Sequence, residues 1–201
     1  MSDIDAAMAF VLEADRLKAV ERATRLTDGS RRENAAEHSW HLALMAMALA
    51  DAAPDGVSID RVIRMLLIHD LVEIDAGDVP LFAAGGPDPG IAAAEASAAD
   101  RIFGLLPAAR ADELRTLWQE FEAAETADAR FAKALDRFQP PNLNLANGGG
   151  SWVEYAVSEA DVRSRVGPVV EAGAPRLWDW LAPRVAAHFS EQAGPRGRGD
   201  T

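Results

Sequence analysis

Apolar residues recur at three- and four-residue intervals along nearly the whole chain, and alternating Val, Ile and Thr runs are missing. This period predicts helix throughout. Phe10, Ala14, Leu17 and Val20 place a first helix over about residues 4–25, followed by a turn at Thr27-Asp28-Gly29-Ser30. Asn34, with Glu37 three residues on, has capping-box spacing and opens a second helix to about Ala52. Ser58 caps a third helix, whose Val62, Ile63, Met65, Leu66, Leu67 and Ile68 are apolar on several sides and mark it as central. Residues 77–90 hold too many Gly and Pro for helix and read as a loop. Helices resume over about residues 91–105, 108–124 and 127–139, the last ended by Pro140-Pro141. A turn at 147–150 follows. Ser151 and Glu154 open a helix to about Arg165, and Pro175 starts a final one ending near Gln192. The expectation is one all-α domain, a bundle of about seven to eight helices over residues 1–193, with a disordered Gly- and charge-rich tail at 194–201.

Composition narrows the function. The 201 residues are 49% hydrophobic and 26% charged, which is globular rather than disordered. A formal net charge of -12 repels nucleic acid polymers and anionic membranes, whose recognition relies on many Lys and Arg contacts. One arginine and a metal would still hold a small phosphorylated substrate. Without cysteine there is no disulfide, thiolate site or cysteine nucleophile. The longest apolar run, Leu42 to Ala50, is too short to span a bilayer, and the start of the chain lacks a basic segment followed by an apolar one. A cytoplasmic protein is expected.

Against this background His38, the pair His69-Asp70, and Asp136 stand out. Two imidazoles and two carboxylates make a complete ligand set for one divalent cation of the Mn, Fe, Co, Ni or Zn type. Any one of them alone is as ordinary as most helical His or Asp residues. Together they fall on three predicted helices, and helical bundles build metal sites where helices converge. Ionisable groups inside the apolar run 65–74 are costly to bury without a partner or a metal. His69 and Glu73 share a helix face, with Asp70 beside them. Adjacent His and Asp reach one ion if the helix loosens there. The chain has four histidines, and none lies between Asp70 and Asp136. His41 reads as a core or supporting residue, His188 as a surface one. Lys133, one turn before Asp136, either reaches phosphate or forms a salt bridge. Arg31 and Arg32 hold an anion at the helix start or sit in a solvated turn. The tryptophans, Trp40 included, read as packing in a core or a dimer interface rather than as base-stacking residues.

The stretches Glu33-Asn34-Ala35-Ala36-Glu37-His38-Ser39, His69-Asp70-Leu71-Val72-Glu73 through Gly77-Asp78-Val79-Pro80, and Lys133-Ala134-Leu135-Asp136 resemble the motifs of the HD-domain phosphohydrolases. The nearest branch contains the bacterial 5′-deoxynucleotidases. The resemblance implies an all-α HD-domain bundle in which His38, His69, Asp70 and Asp136 bind one divalent metal ion (Mn, Co, Fe, Ni, Zn or Mg). It implies that Glu73 positions or deprotonates the attacking water, that Asp78 contacts the substrate sugar, and that the protein is a homodimer. Leu17-Lys18 through Arg22 is similar to a family segment whose arginine binds phosphate, which gives Arg22 that role. The chain departs from the branch at Ala23, where a tryptophan is usual, and carries one extra residue between Arg22 and His38. The expected function is phosphate release from a small phosphomonoester, foremost a nucleoside 5′-monophosphate. Glu73 and Asp78 would be catalytic, and Arg22, Asp78 and Lys133 would contact substrate. Phosphodiester or pyrophosphate cleavage on another nucleotide is a second reading. A non-catalytic metal- and ligand-binding dimerisation module is a third, and Glu73 weighs against it, since a structural metal needs no extra carboxylate.

Overall fold

Helix is the dominant state in the computed structural model, which describes residues 2–83 and 90–193. The tail at 194–201 and part of the 77–90 loop lie outside the described residues. Ser2 caps α1 (Asp3–Ala14), its side chain accepting from the Asp5 N–H while Asp5 reaches back to the Ser2 N–H. A 3₁₀ turn, Asp15–Ala19, then leads to a two-stranded antiparallel hairpin, β1 (Glu21–Arg25) and β2 (Arg32–Asn34). Next come α2 (Ala35–Ala48), α3 (Ile59–Ile68), a 3₁₀ turn at His69–Val72 and α4 (Glu73–Ala76). The remainder is α5 (Ile91–Phe103), α6 (Ala108–Ala123), α7 (Ala127–Ala146), α8 (Gly150–Glu154), α9 (Glu159–Arg165), α10 (Gly167–Gly173) and α11 (Pro175–Ala193).

The larger core gathers Leu42, Met65, Leu66, Phe121, Phe131, Leu135, Trp152, Val170 and Leu181, so α7 runs through its middle. A second cluster, with Leu17, Leu71, Ile102, Phe103 and Trp118, lies beneath the His69–Val72 turn, and Ile68 packs on both. The site-bearing segments are thereby anchored on buried apolar neighbours. Contact between α10 and α7 is close enough that a Cβ on Gly173 would stand 2.0 Å from the Arg130 carbonyl oxygen.

Several elements differ from the sequence expectation. The first helix does not reach Arg25: Val20 turns extended (φ −84°, ψ 108°) and accepts from the Ala35 N–H at 2.9 Å. Residues 21–25 then pair with 32–34, because the turn carrying Gly29 (φ 70°) brings the two together and tertiary pairing overrides weak helical propensity. Pro140 and Pro141 do not end α7, which continues to Ala146. Proline there removes the donors for the Asp136 and Arg137 carbonyls, but packing of Pro141, Leu143 and Asn144 in the interior holds the helix together. Ser151 is not a cap. It is buried, and its N–H and hydroxyl both bond Asn144, while Ser158 caps α9 instead. Short α4, α8 and α10 raise the helix number above the seven or eight expected. Trp40 is 63% exposed, so within one chain it does not pack in the core. No helix among the described residues is long and apolar enough to cross a membrane.

Candidate metal and phosphate site

Three segments bring the predicted ligands together. His38 stands in the first turn of α2, where Asn34 and Glu37 bond each other's backbone N–H at 2.9 and 3.0 Å and set the angle at which the helix starts. His69 and Asp70 lie in the 3₁₀ turn after α3, the loosening of helix that adjacent ligands require. Asp136 sits within α7 rather than in its last turn, since that helix runs on to Ala146. His38 Nε2 is 3.0 Å from Asp136 Oδ1, and His69 Nε2 is 2.9 Å from Asp70 Oδ1 and 3.8 Å from Asp136 Oδ1. One ligand atom from each of His38, His69 and Asp136 falls within 4.8 Å of the others. Asp70 completes the predicted set less tightly, because its other oxygen accepts from Arg22 Nη1 at 2.8 Å.

These residues fit a divalent ion. His69 Nδ1 donates to the Leu66 carbonyl at 2.9 Å, and its ring packs edge-on against Phe121 at 4.9 Å. That bond commits Nδ1 and leaves the buried Nε2 facing the carboxylate oxygens of Asp70 and Asp136. Lone pair against carboxylate is repulsive unless a proton or a cation lies between them. His38 is arranged in parallel: Nε2 faces Asp136 while Nδ1 lies 3.4 Å from Glu33 Oε1, within charge range though without a hydrogen bond, on the side where a carboxylate commonly backs a metal-bound imidazole.

The electrostatics follow from burial and proximity. Burial alone would lower the His69 pKa, but Asp70 and Asp136 outweigh it and raise it to about 10. Burial pushes the Asp70 and Asp136 carboxyls up, yet both end below the usual range: His69 and Arg22 act on Asp70, and His38 and His69 on Asp136. Glu73 goes the other way. Burial, then the Asp70 charge, lift it to about 9, with Arg22 opposing. Burial likewise raises Asp78. A dication at the histidines would favour the ionised form of all these carboxylates. Arg22 threads among them, 2.8 Å from Asp70, 3.4 Å from Asp78, 3.6 Å from Glu73 and 3.7 Å from Glu33.

The centre opens into a cavity of about 680 Å³, whose wall includes Arg22, Glu73, Asp78 and Lys133. Lys133 is paired with both Glu122 oxygens at 3.0 Å and sits over the Phe121 ring, so it reaches the cavity wall as half of a salt bridge. Arg31 pairs with Glu37, and Arg32 with Glu21 and Glu154, which takes both away from anion binding. His41 contacts Gln139 at 3.2 Å outside the ligand cluster, and burial lowers its pKa. Two supporting residues escaped the sequence reading. Glu33, 2% exposed, accepts from Gln139 Nε2 at 2.9 Å and backs His38. Its place five residues before His38 was visible, but its inward orientation was not. Gln139 follows Asp136 by three positions on α7, a same-face spacing that could have been read as support.

A family model described as HD domain matches residues 14–178, which include every residue of the cluster. The chain belongs to the HD domain family. Within it, the chain is similar to the crystal structure of a predicted metal-dependent phosphohydrolase from Magnetospirillum magnetotacticum MS-1, with 49% identity, a TM-score of 0.89, and 96% of this chain and 98% of that one covered. It is 36% identical over 107 residues to the 5′-deoxynucleotidase HDDC2 of Homo sapiens, covering 53% of this chain and 50% of that protein. A 5′-deoxynucleotidase of Schizosaccharomyces pombe is 27% identical over 62% of this chain and 63% of its own length. The chain thus spans about half to two thirds of the curated HD domain relatives it matches.

Proposed function

We propose that this HD domain protein is a metal-dependent phosphohydrolase that releases phosphate from a small phosphomonoester, foremost a nucleoside 5′-monophosphate. The observation that carries the reading is the convergence of the buried His69 Nε2 and His38 Nε2 on the carboxylates of Asp136 and Asp70, in a cavity that also presents Glu73 and Arg22. The similarity to 5′-deoxynucleotidases supports the substrate class.

In this reading His38, His69, Asp70 and Asp136 hold one divalent ion. The chemistry such a centre supplies is Lewis acidity toward a phosphoryl oxygen and a lowered pKa for water. Glu73 orients the attacking water and takes its proton at Oε2, a buried oxygen without a hydrogen-bond partner. Arg22 offers its planar fork to the non-bridging oxygens. Asp78 holds a sugar hydroxyl, and Lys133 adds positive charge from the cavity wall. The proposal extends to a single domain over residues 1–193 and to a cytoplasmic homodimer. Exposed Ile4, Met8 and Leu12 on α1 and Trp40 and Met47 on α2 are apolar surface that a second copy would cover.

The test is phosphate release from a panel of ribo- and deoxyribonucleoside 5′-monophosphates, with and without chelator and with Mn²⁺, Co²⁺, Fe²⁺, Ni²⁺, Zn²⁺ or Mg²⁺ restored. Turnover that requires metal is expected. No hydrolysis of any monophosphate with any of these ions would overturn the reading, and activity confined to diesters or pyrophosphates would replace it.

A further inference from the structure

Among the described residues, Arg22, Lys133, Arg137 and Arg165 bring positive charge to the cavity wall. Three of them are already matched. Arg22 is shared among four carboxylates. Lys133 has Glu122, and Arg165 donates to the Leu81 carbonyl at 3.0 Å beside the Phe82 ring. Arg137 differs. Its guanidinium makes no hydrogen bond or ion pair among the described residues, although it is only half-buried and this acidic chain usually supplies a partner. Arg31, Arg61, Arg64 and Arg101, all more peripheral to the cavity, each have a carboxylate.

Its position gives that free fork a purpose. Arg137 follows Asp136 directly on α7, and both residues line the same cavity as Arg22 and Glu73. A phosphoryl oxygen approaching Arg22 must compete with Asp70, which already accepts at 2.8 Å. At Arg137 no carboxylate among the described residues already accepts a hydrogen bond. Guanidinium presents five N–H donors in a planar fork suited to phosphate, and an unpaired one beside a dication is poised for a doubly charged anion.

We infer that Arg137 is an anion-binding residue of this cavity and grips non-bridging oxygens of the substrate's phosphoryl group. The identity of the anion rests on the phosphomonoesterase reading; the presence of an anion site does not.

The test uses the full chain loaded with Mn²⁺, and inorganic phosphate as the probe in titration calorimetry. Arg137→Ala should bind phosphate about 10- to 100-fold more weakly than wild type, the loss expected for a charge-assisted hydrogen bond. Arg137→Lys should fall between them, keeping charge but losing the fork. Thermal midpoints and Mn²⁺ content should match wild type, because Arg137 makes no internal bond to lose. With a nucleoside 5′-monophosphate, KM should rise more than kcat falls. Equal phosphate affinity in Arg137→Ala and wild type would overturn the inference, as would a wild-type protein that binds no phosphate. A wild type that binds phosphate through Arg137 yet hydrolyses no phosphomonoester would support the anion site and sink only the proposed reaction.

Discussion

Metal addition should stabilise this protein by an amount that depends on Asp136. The centre packs Asp70, Asp136, Glu33, Glu73 and Asp78 around two histidines, with Arg22 as the cation that ion-pairs within the group. An ion that binds the native but not the unfolded chain contributes RT ln(1 + [M]/Kd), about 2.7 kcal/mol when free metal is a hundred times Kd. For a chain of this length that corresponds to a rise in Tm of roughly 5–10 °C, at about 2–4 °C per kcal/mol. Asp136→Ala deletes the oxygen that lies 3.0 Å from His38 Nε2 and 3.8 Å from His69 Nε2. Comparing each protein with and without Mn²⁺ by scanning calorimetry cancels the folding cost of the substitution, and the rise should nearly vanish in the variant. The effect should also depend on pH. With its folded pKa raised from 6.5 to about 10, His69 stabilises the metal-free protein fully below pH 6.5, and that contribution is lost as pH climbs toward 10. The same proton competes with the ion for Nε2, so the metal-induced rise should be larger at pH 8 than at pH 6. An equal rise in wild type and Asp136→Ala would move the ion elsewhere. No rise in wild type with any of the six candidate metals would refute the argument.

Three further outcomes are expected. Glu73→Gln should keep metal content and fold while kcat drops by roughly 10²–10⁴-fold, the range for losing general-base assistance, whereas unchanged kcat would move that role to another group. Phe121→Ala, at a 1% exposed side chain against the His69 ring, should cost about 3–5 kcal/mol in urea unfolding and weaken Mn²⁺ binding by freeing the imidazole; a purely local loss of stability with unaltered Mn²⁺ affinity would contradict the positioning role. Gly173→Ala, whose Cβ would meet the Arg130 carbonyl oxygen at 2.0 Å, should destabilise by about 1–3 kcal/mol or more through the α7–α10 contact, and a neutral result would mean that the two helices separate freely.

Helical periodicity, capping residues and the order of His38, His69-Asp70 and Asp136 were legible because each is a local property. Apolar spacing selects the buried face of a helix, and Asn34 with Glu37 satisfies backbone donors within one turn. Imidazole and carboxylate at these positions also pointed to a group able to hold a divalent ion, since burying them otherwise is costly. What local reasoning could not reach depends on partners distant in sequence. Residues 21–25 become a strand because β2 is there to pair with them, and this is what swings Arg22 toward Asp70, 48 residues away. Helix α7 passes through Pro140 and Pro141 because the interior packing around it outweighs the lost backbone donors. The bonding of Glu33 behind His38 by Gln139, and the pairing of Lys133 with Glu122 while Arg137 makes no hydrogen bond or ion pair among the described residues, are likewise decided only by which side chains the fold sets face to face. Sequence spacing specifies what one turn of helix can satisfy, whereas the balance of charge in a buried cavity is a sum over every segment that meets there.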